Sequence, residues 1–171
     1  MTYPPRQLLK SWLHLIAEEQ RRMEKHPLYE KFARECPDAP QKVRWLSFQV
    51  YLDVVLAKEW ANVHAKFCKS LEKIVLLARR ELEEEAEIIV PMTEAESWSV
   101  SSVSILFSEL FEMSLEPSSD LERSMLAFSH PGEKELTLYH SLVLAVMSTD
   151  STVVYYRIYN GLVPPEEEKE R

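Results

Sequence analysis

Apolar positions between residues 6 and 25, namely Leu8, Leu9, Trp12, Leu13, Leu15, Ile16 and Met23, recur mostly every three or four residues among charges. That spacing, after Pro4-Pro5, predicts an amphipathic helix. A short second helix carrying Tyr29 and Phe32 should follow His26-Pro27 and stop by Cys36-Pro37-Asp38-Ala39-Pro40, where two prolines oppose helical continuation. A third helix is expected over residues 42–62, with Val43, Trp45, Leu46, Val50, Tyr51, Val54, Val55, Ala57 and Trp60 giving a broad apolar face.

The period then changes. Residues 72–79 and 87–91 are compact β-branched runs on either side of an acidic cluster at 81–85, and they predict two strands forming a hairpin. Helical spacing returns over 97–113, with Ser97 or Ser99 as N-cap. The less regular, Ser-rich residues 114–135 read as a helix-bearing insertion. Two more apolar runs, 141–147 and 152–158, flank Ser148-Thr149-Asp150-Ser151 and predict strand, turn and strand. The sum is a mixed α/β fold with one central sheet packed by helices on its faces. The last strand would put Val153 and Tyr155 on one face and Val154, Tyr156 and Ile158 on the other. Such an edge needs a partner strand or further cover from its own sheet.

Composition narrows the chemistry. The 171 residues are 46% hydrophobic, enough for a core, and include only two glycines, Gly132 and Gly161, too few for a dinucleotide fingerprint and misplaced for a P-loop. Cys36 and Cys68 stand apart, which fits a reducing, intracellular setting better than a disulfide framework. No stretch approaches the roughly twenty apolar residues of a membrane span, and residues 1–10 lack an apolar targeting core. A soluble, untargeted chain is expected.

The net charge of −8 is unevenly spread. Residues 1–80 hold 15 Lys/Arg against 9 Asp/Glu, and residues 81–171 hold 5 against 19. Such a chain would not hold RNA alone, so a partner is expected to grip it; alternatively the acids simply solvate a surface. None of the histidines His14, His26, His64, His130 and His140 is paired at helical metal-site spacing, and no metal is expected. His14 and His64 fall on helical segments, and His26 is expected to serve a turn. Tyr139-His140, at the start of a buried strand, could suggest acid–base work, but is more often structural. There is no nucleophile elbow, Cys68 has no local catalytic signature, and the acidic runs lack a defined scaffold. The residues alone therefore argue against an enzyme. Trp12, Trp45, Trp60 and Trp98 read as core; only Trp45, beside Lys42 and Arg44, resembles an RNA-stacking surface.

Several fragments together resemble one family. They are His26-Pro27-Leu28-Tyr29, Val50-Tyr51-Leu52-Asp53 with Lys58-Glu59-Trp60, Val90-Pro91, Leu144-Ala145-Val146, and Asp150-Ser151-Thr152-Val153-Val154-Tyr155-Tyr156 with Gly161. In order and spacing they are similar to the fifteen-kilodalton structural subunit of the eukaryotic tRNA-splicing endonuclease. The likeness spans about residues 26–165, with the first helix and the 114–135 segment as departures, and leaves an N-terminal helical extension at 1–25 and an acidic tail at 166–171.

The resemblance implies an endonuclease-like α/β domain and a non-catalytic subunit of a heterotetramer that removes introns from precursor tRNA, with no cofactor. Catalytic subunits of that family use a Tyr–His–Lys constellation with the Lys just ahead of the penultimate strand, where this chain has Tyr139-His140-Ser141. The resemblance also implies pairing of the last strand with a catalytic subunit, which would engage Thr152, Val153, Val154, Tyr155, Tyr156 and Ile158. An acidic loop inserting into another subunit's basic groove would map onto Asp150, which could equally hydrogen-bond its own backbone. Precursor tRNA would be contacted indirectly. The implied location is the nucleus, or the cytosolic face of mitochondria. Two other readings are a self-sufficient homodimeric RNA endonuclease and a general protein-interaction module.

Overall fold

The computed structural model describes residue 18 and residues 21–81, 87–115 and 141–160. Their elements run α1 (Tyr29–Glu35), α2 (Gln41–Leu52), a π-helical turn (Asp53–Ala57), β1 (Ala61–Cys68), β2 (Lys73–Arg79), β3 (Glu87–Thr93), α3 (Val100–Leu115), β4 (Ser141–Met147) and β5 (Val153–Tyr159). The predicted first helix falls mostly outside the described residues, though 21–24 are helical. So does the expected insertion beyond residue 115.

The five strands lie in the order β1-β2-β3-β4-β5. All neighbours are antiparallel except β3 and β4, which run parallel. A parallel pair needs a long crossover, and α3 lies within it. Helices thus cover both faces. On one, α1, α2 and the π-turn bury Phe32, Phe48, Tyr51 and Val54 against Ile74, Leu76, Ile89 and Ala145. On the other, Leu106, Phe107 and Leu110 of α3 cover Val75, Leu77, Val90 and Leu144. This two-sided cover explains why β2, β3 and β4 are unbroken apolar runs rather than alternating ones.

α1 docks on α2 through an aromatic knot: the Phe48 ring lies 5.1 Å from Tyr29 and 5.3 Å from Phe32, which is itself 5.3 Å from Tyr51. His26 serves a turn as expected, its Nδ1 accepting the Leu28 N–H at 3.2 Å. Pro91 is tolerated in mid-strand because the β2 ladder ends at Ile89, so on that side it has no hydrogen bond to lose. Ser99 is the N-cap of α3, its Oγ accepting the Ser102 N–H at 3.1 Å.

One strand departs from expectation. The helix expected over 42–62 ends in the π-turn, and β1 follows, so the sheet has five strands and His64 lies on a strand rather than a helix. Helix termination there uses no glycine. Glu59 adopts the left-handed region at φ 55°, and the Trp60 N–H closes the turn onto the Val54 carbonyl at 3.1 Å.

Candidate partner interface

The two edges of the sheet are built differently. At the β1 edge, a Glu35 carboxylate oxygen accepts the Ala65 N–H at 2.6 Å, and the other lies 3.5 Å from His64 Nδ1. The β1–β2 register also shifts between Ala61 and His64, near Asn62 at φ 47°. A bulge and a side chain on the strand's N–H both blunt this edge against further pairing.

The β5 edge carries no such device among the described residues. β5 pairs with β4 from Met147↔Val153 to Ser141↔Tyr159, and nothing described pairs with its outer side. Val153 and Tyr155 face the α1–α2 layer, where they are half-buried. Ile158 packs toward α3, whereas Val154 and Tyr156 on that same face are 43% and 56% exposed. The strand thus has apolar groups on both faces, and Val154, Tyr156 and the terminal Tyr159, 48% exposed, lack cover. The two faces expected from the sequence are both present, and they differ in cover: Val153 and Tyr155 serve the α1–α2 core and Ile158 the α3 side, whereas Val154, Tyr156 and Tyr159 are open.

Tyr155 is fixed from below. Its hydroxyl donates to Asp53 Oδ2 at 2.5 Å, and Lys58 Nζ sits 4.2 Å from its ring centroid. Burial, reinforced by the Asp53 hydrogen bond and charge, pushes this phenol above its ordinary pKa. Burial likewise pushes the Cys36 thiol up to about 12, aided by Glu35. Both groups stay protonated at neutral pH, so neither is an activated nucleophile or base. Tyr139 and His140 lie outside the described residues. Among the described residues no three His, Cys, Asp or Glu side chains are grouped to hold a metal ion, and no helix is long and apolar enough to cross a membrane.

The β4–β5 turn puts Ser151 at φ 69°, and Ser148 N–H donates to the Thr152 carbonyl at 2.9 Å. Asp150 Oδ1 accepts the Thr152 N–H at 2.9 Å, so the backbone-bonding alternative is realised in the turn. That bond lowers the Asp150 pKa. A second carboxylate, missed in the sequence, joins it. Glu94 accepts the Ser148 hydroxyl and, at 3.3 Å, the Thr149 N–H. Those hydrogen bonds, that of Ser148 first, hold its carboxyl below the usual range although Asp150 opposes them. Glu94 reaches the turn because parallel pairing sets Thr93 against Met147; nothing local in the sequence signals that meeting.

The fold and this edge define a class: a small mixed α/β protein with one sheet between helical layers, blunted at one edge and, among the described residues, open at the other. The family model of the Sen15 protein matches residues 49–169. A mouse protein named tRNA-splicing endonuclease subunit Sen15 is 30% identical over 154 residues, covering 90% of this chain and 79% of the relative. The human protein of the same name is 27% identical over 151 residues, covering 88% and 76%. The chain belongs to the Sen15 family.

Proposed function

We propose that this chain is a non-catalytic subunit of a tRNA-splicing endonuclease, and that it positions a catalytic subunit by pairing through β5. The observation that carries the reading is the asymmetry of the sheet: Glu35 occupies the N–H of Ala65 at one edge, while β5 at the other leaves Val154 and Tyr156 exposed. A second chain adding a strand there would satisfy the outer backbone groups and bury the two side chains together. Family membership and the names of the mouse and human relatives support the assignment to tRNA splicing.

In this reading the endonuclease-like domain contributes scaffold rather than chemistry, within a heterotetramer. Asp150 on the β4–β5 turn and Glu94, which reaches that turn from the end of β3, meet a basic groove of another subunit. The nucleus is the compartment where precursor tRNA and the partner subunits would meet it. Reconstitution with the catalytic subunits tests the assignment. Precursor-tRNA cleavage should require the catalytic subunits and be absent from this chain alone. Cleavage by the isolated chain as a homodimer would overturn it.

A further inference from the structure

We propose that a cleft at one end of the sheet, between Lys58, Arg80 and Arg157, binds the precursor-tRNA backbone directly, with Trp60 as a stacking face for a base. The inference rests on the splicing reading above. It goes beyond that reading by giving this subunit an RNA contact of its own.

The cleft has a volume of about 430 Å³, within the usual range of small-ligand pockets. It gathers side chains that are far apart in the chain: Lys58 and Trp60 between the π-turn and β1, Arg80 just past β2, and Tyr155 and Arg157 from β5. Each aromatic ring carries a cation. The Arg80 guanidinium lies 5.2 Å from the Trp60 centroid, and Lys58 covers Tyr155. Glu87, the one acid among the described lining residues, accepts from both guanidiniums with a single oxygen, at 3.2 Å from Arg80 and 2.7 Å from Arg157. Arg157 also donates to Ser141 Oγ at 3.1 Å.

Among the described residues, three cations against one carboxylate leave the lining positive in a chain whose net charge is −8. Glu87 holds the two guanidiniums side by side, so a phosphate would meet donors already in place. Its other oxygen is buried without a hydrogen-bond partner among the described residues. Interleaved cations and aromatic faces favour nucleic acid over an acidic peptide, which has no use for a ring face. The sequence between Arg80 and Glu87 includes four glutamates, at 81 and 83–85, so the attraction is local and isolated-chain affinity should be low. Because Tyr155 and Arg157 belong to β5, RNA held here would lie beside the proposed partner.

The test uses the reconstituted endonuclease. Precursor-tRNA affinity is measured across a salt series with wild type, the Lys58→Gln/Arg80→Gln pair and Trp60→Phe, after complex mass is checked by light scattering. The double variant should assemble normally, bind roughly tenfold more weakly, and lose roughly 0.7–0.9 from the log–log salt slope for each cation removed. Trp60→Phe, which keeps a stacking ring, should bind within about threefold of wild type. Unchanged affinity and slope in an intact double-variant complex would overturn the proposal. So would capture of a polyglutamate peptide by the cleft with RNA affinity unaffected. Failure of the wild-type chain to assemble would instead sink the splicing reading.

Discussion

The Tyr155 hydroxyl donates to Asp53 across 102 residues of chain, at 2.5 Å. This one hydrogen bond fastens the exposed edge strand to the π-turn at the end of α2. The widened turn and the edge are therefore one mechanical unit, and β5 is held in place before any partner arrives. Tyr155→Phe should keep the ring's packing but leave the Asp53 carboxylate without its donor. The expected loss is about 1–3 kcal/mol of unfolding free energy, read from urea denaturation. Complex formation should weaken with it, since a loosened β5 must be ordered on binding.

Alkaline pH should unfold the chain through two of the same buried groups. Tyr155 and Cys36 both have folded pKa values raised above their unfolded values of about 10 and 8.5. Groups shifted this way stabilise fully below the unfolded pKa and lose that contribution as pH rises through the folded one. Thermal unfolding should show a midpoint falling from about pH 9 upward. In Tyr155→Phe and Cys36→Ala the decline should be shallower than in wild type, whatever their stability at pH 7. Parallel curves for all three would contradict this account.

Asp150→Asn separates charge from turn geometry. The amide oxygen can still accept the Thr152 N–H, so unfolding should change little, while the negative charge is gone. If Asp150 and Glu94 engage a basic groove, Asp150→Asn with Glu94→Gln should weaken tetramer assembly, and added salt should erase the difference from wild type. The β5-dependent heterodimer should persist. Both carboxyls have lowered pKa values, so the wild-type attachment should survive mild acid and fail only below the ordinary carboxylate range, about pH 4. An unaltered tetramer would leave Asp150 as a turn residue.

Glu35→Ala should expose the β1 edge. Without the carboxylate the Ala65 N–H is unpaired, and a side chain that keeps other strands away is gone. Light scattering of the purified variant should show self-association, at a stability cost of about 1–3 kcal/mol. A monodisperse variant would mean that the bulge near Asn62 protects this edge unaided.

The sequence made β2, β3 and β4 legible because burial on two faces writes long apolar runs that no amphipathic helix would carry, and β5 legible as a β-branched and aromatic run after a turn. β1 was not legible. Its Ala61, His64 and Lys66 interrupt the pattern, and the helix before it ends without Gly or Pro, through left-handed Glu59. The candidate site was half legible for a similar reason. Asp150 and the residues of β5 are contiguous, but Glu94 reaches the turn only through the parallel β3–β4 pairing. In the sequence the aromatic–cation pattern falls at Trp45, which the structure packs against the α1–α2 core. Arg80 meets Trp60, and Lys58 meets Tyr155, only once the sheet is assembled.

The central claim is that β5 is the pairing edge, and Tyr156 addresses it most directly. This side chain is 56% exposed, so Tyr156→Asp should leave the fold intact while placing a charge in a desolvated strand contact. The decisive measurement is the mass, by light scattering, of this chain co-expressed with the catalytic subunit. The account predicts a stable heterodimer with wild type, and a separate, folded chain with Tyr156→Asp. A heterodimer that forms equally well with Tyr156→Asp and with Val154→Asp would contradict it.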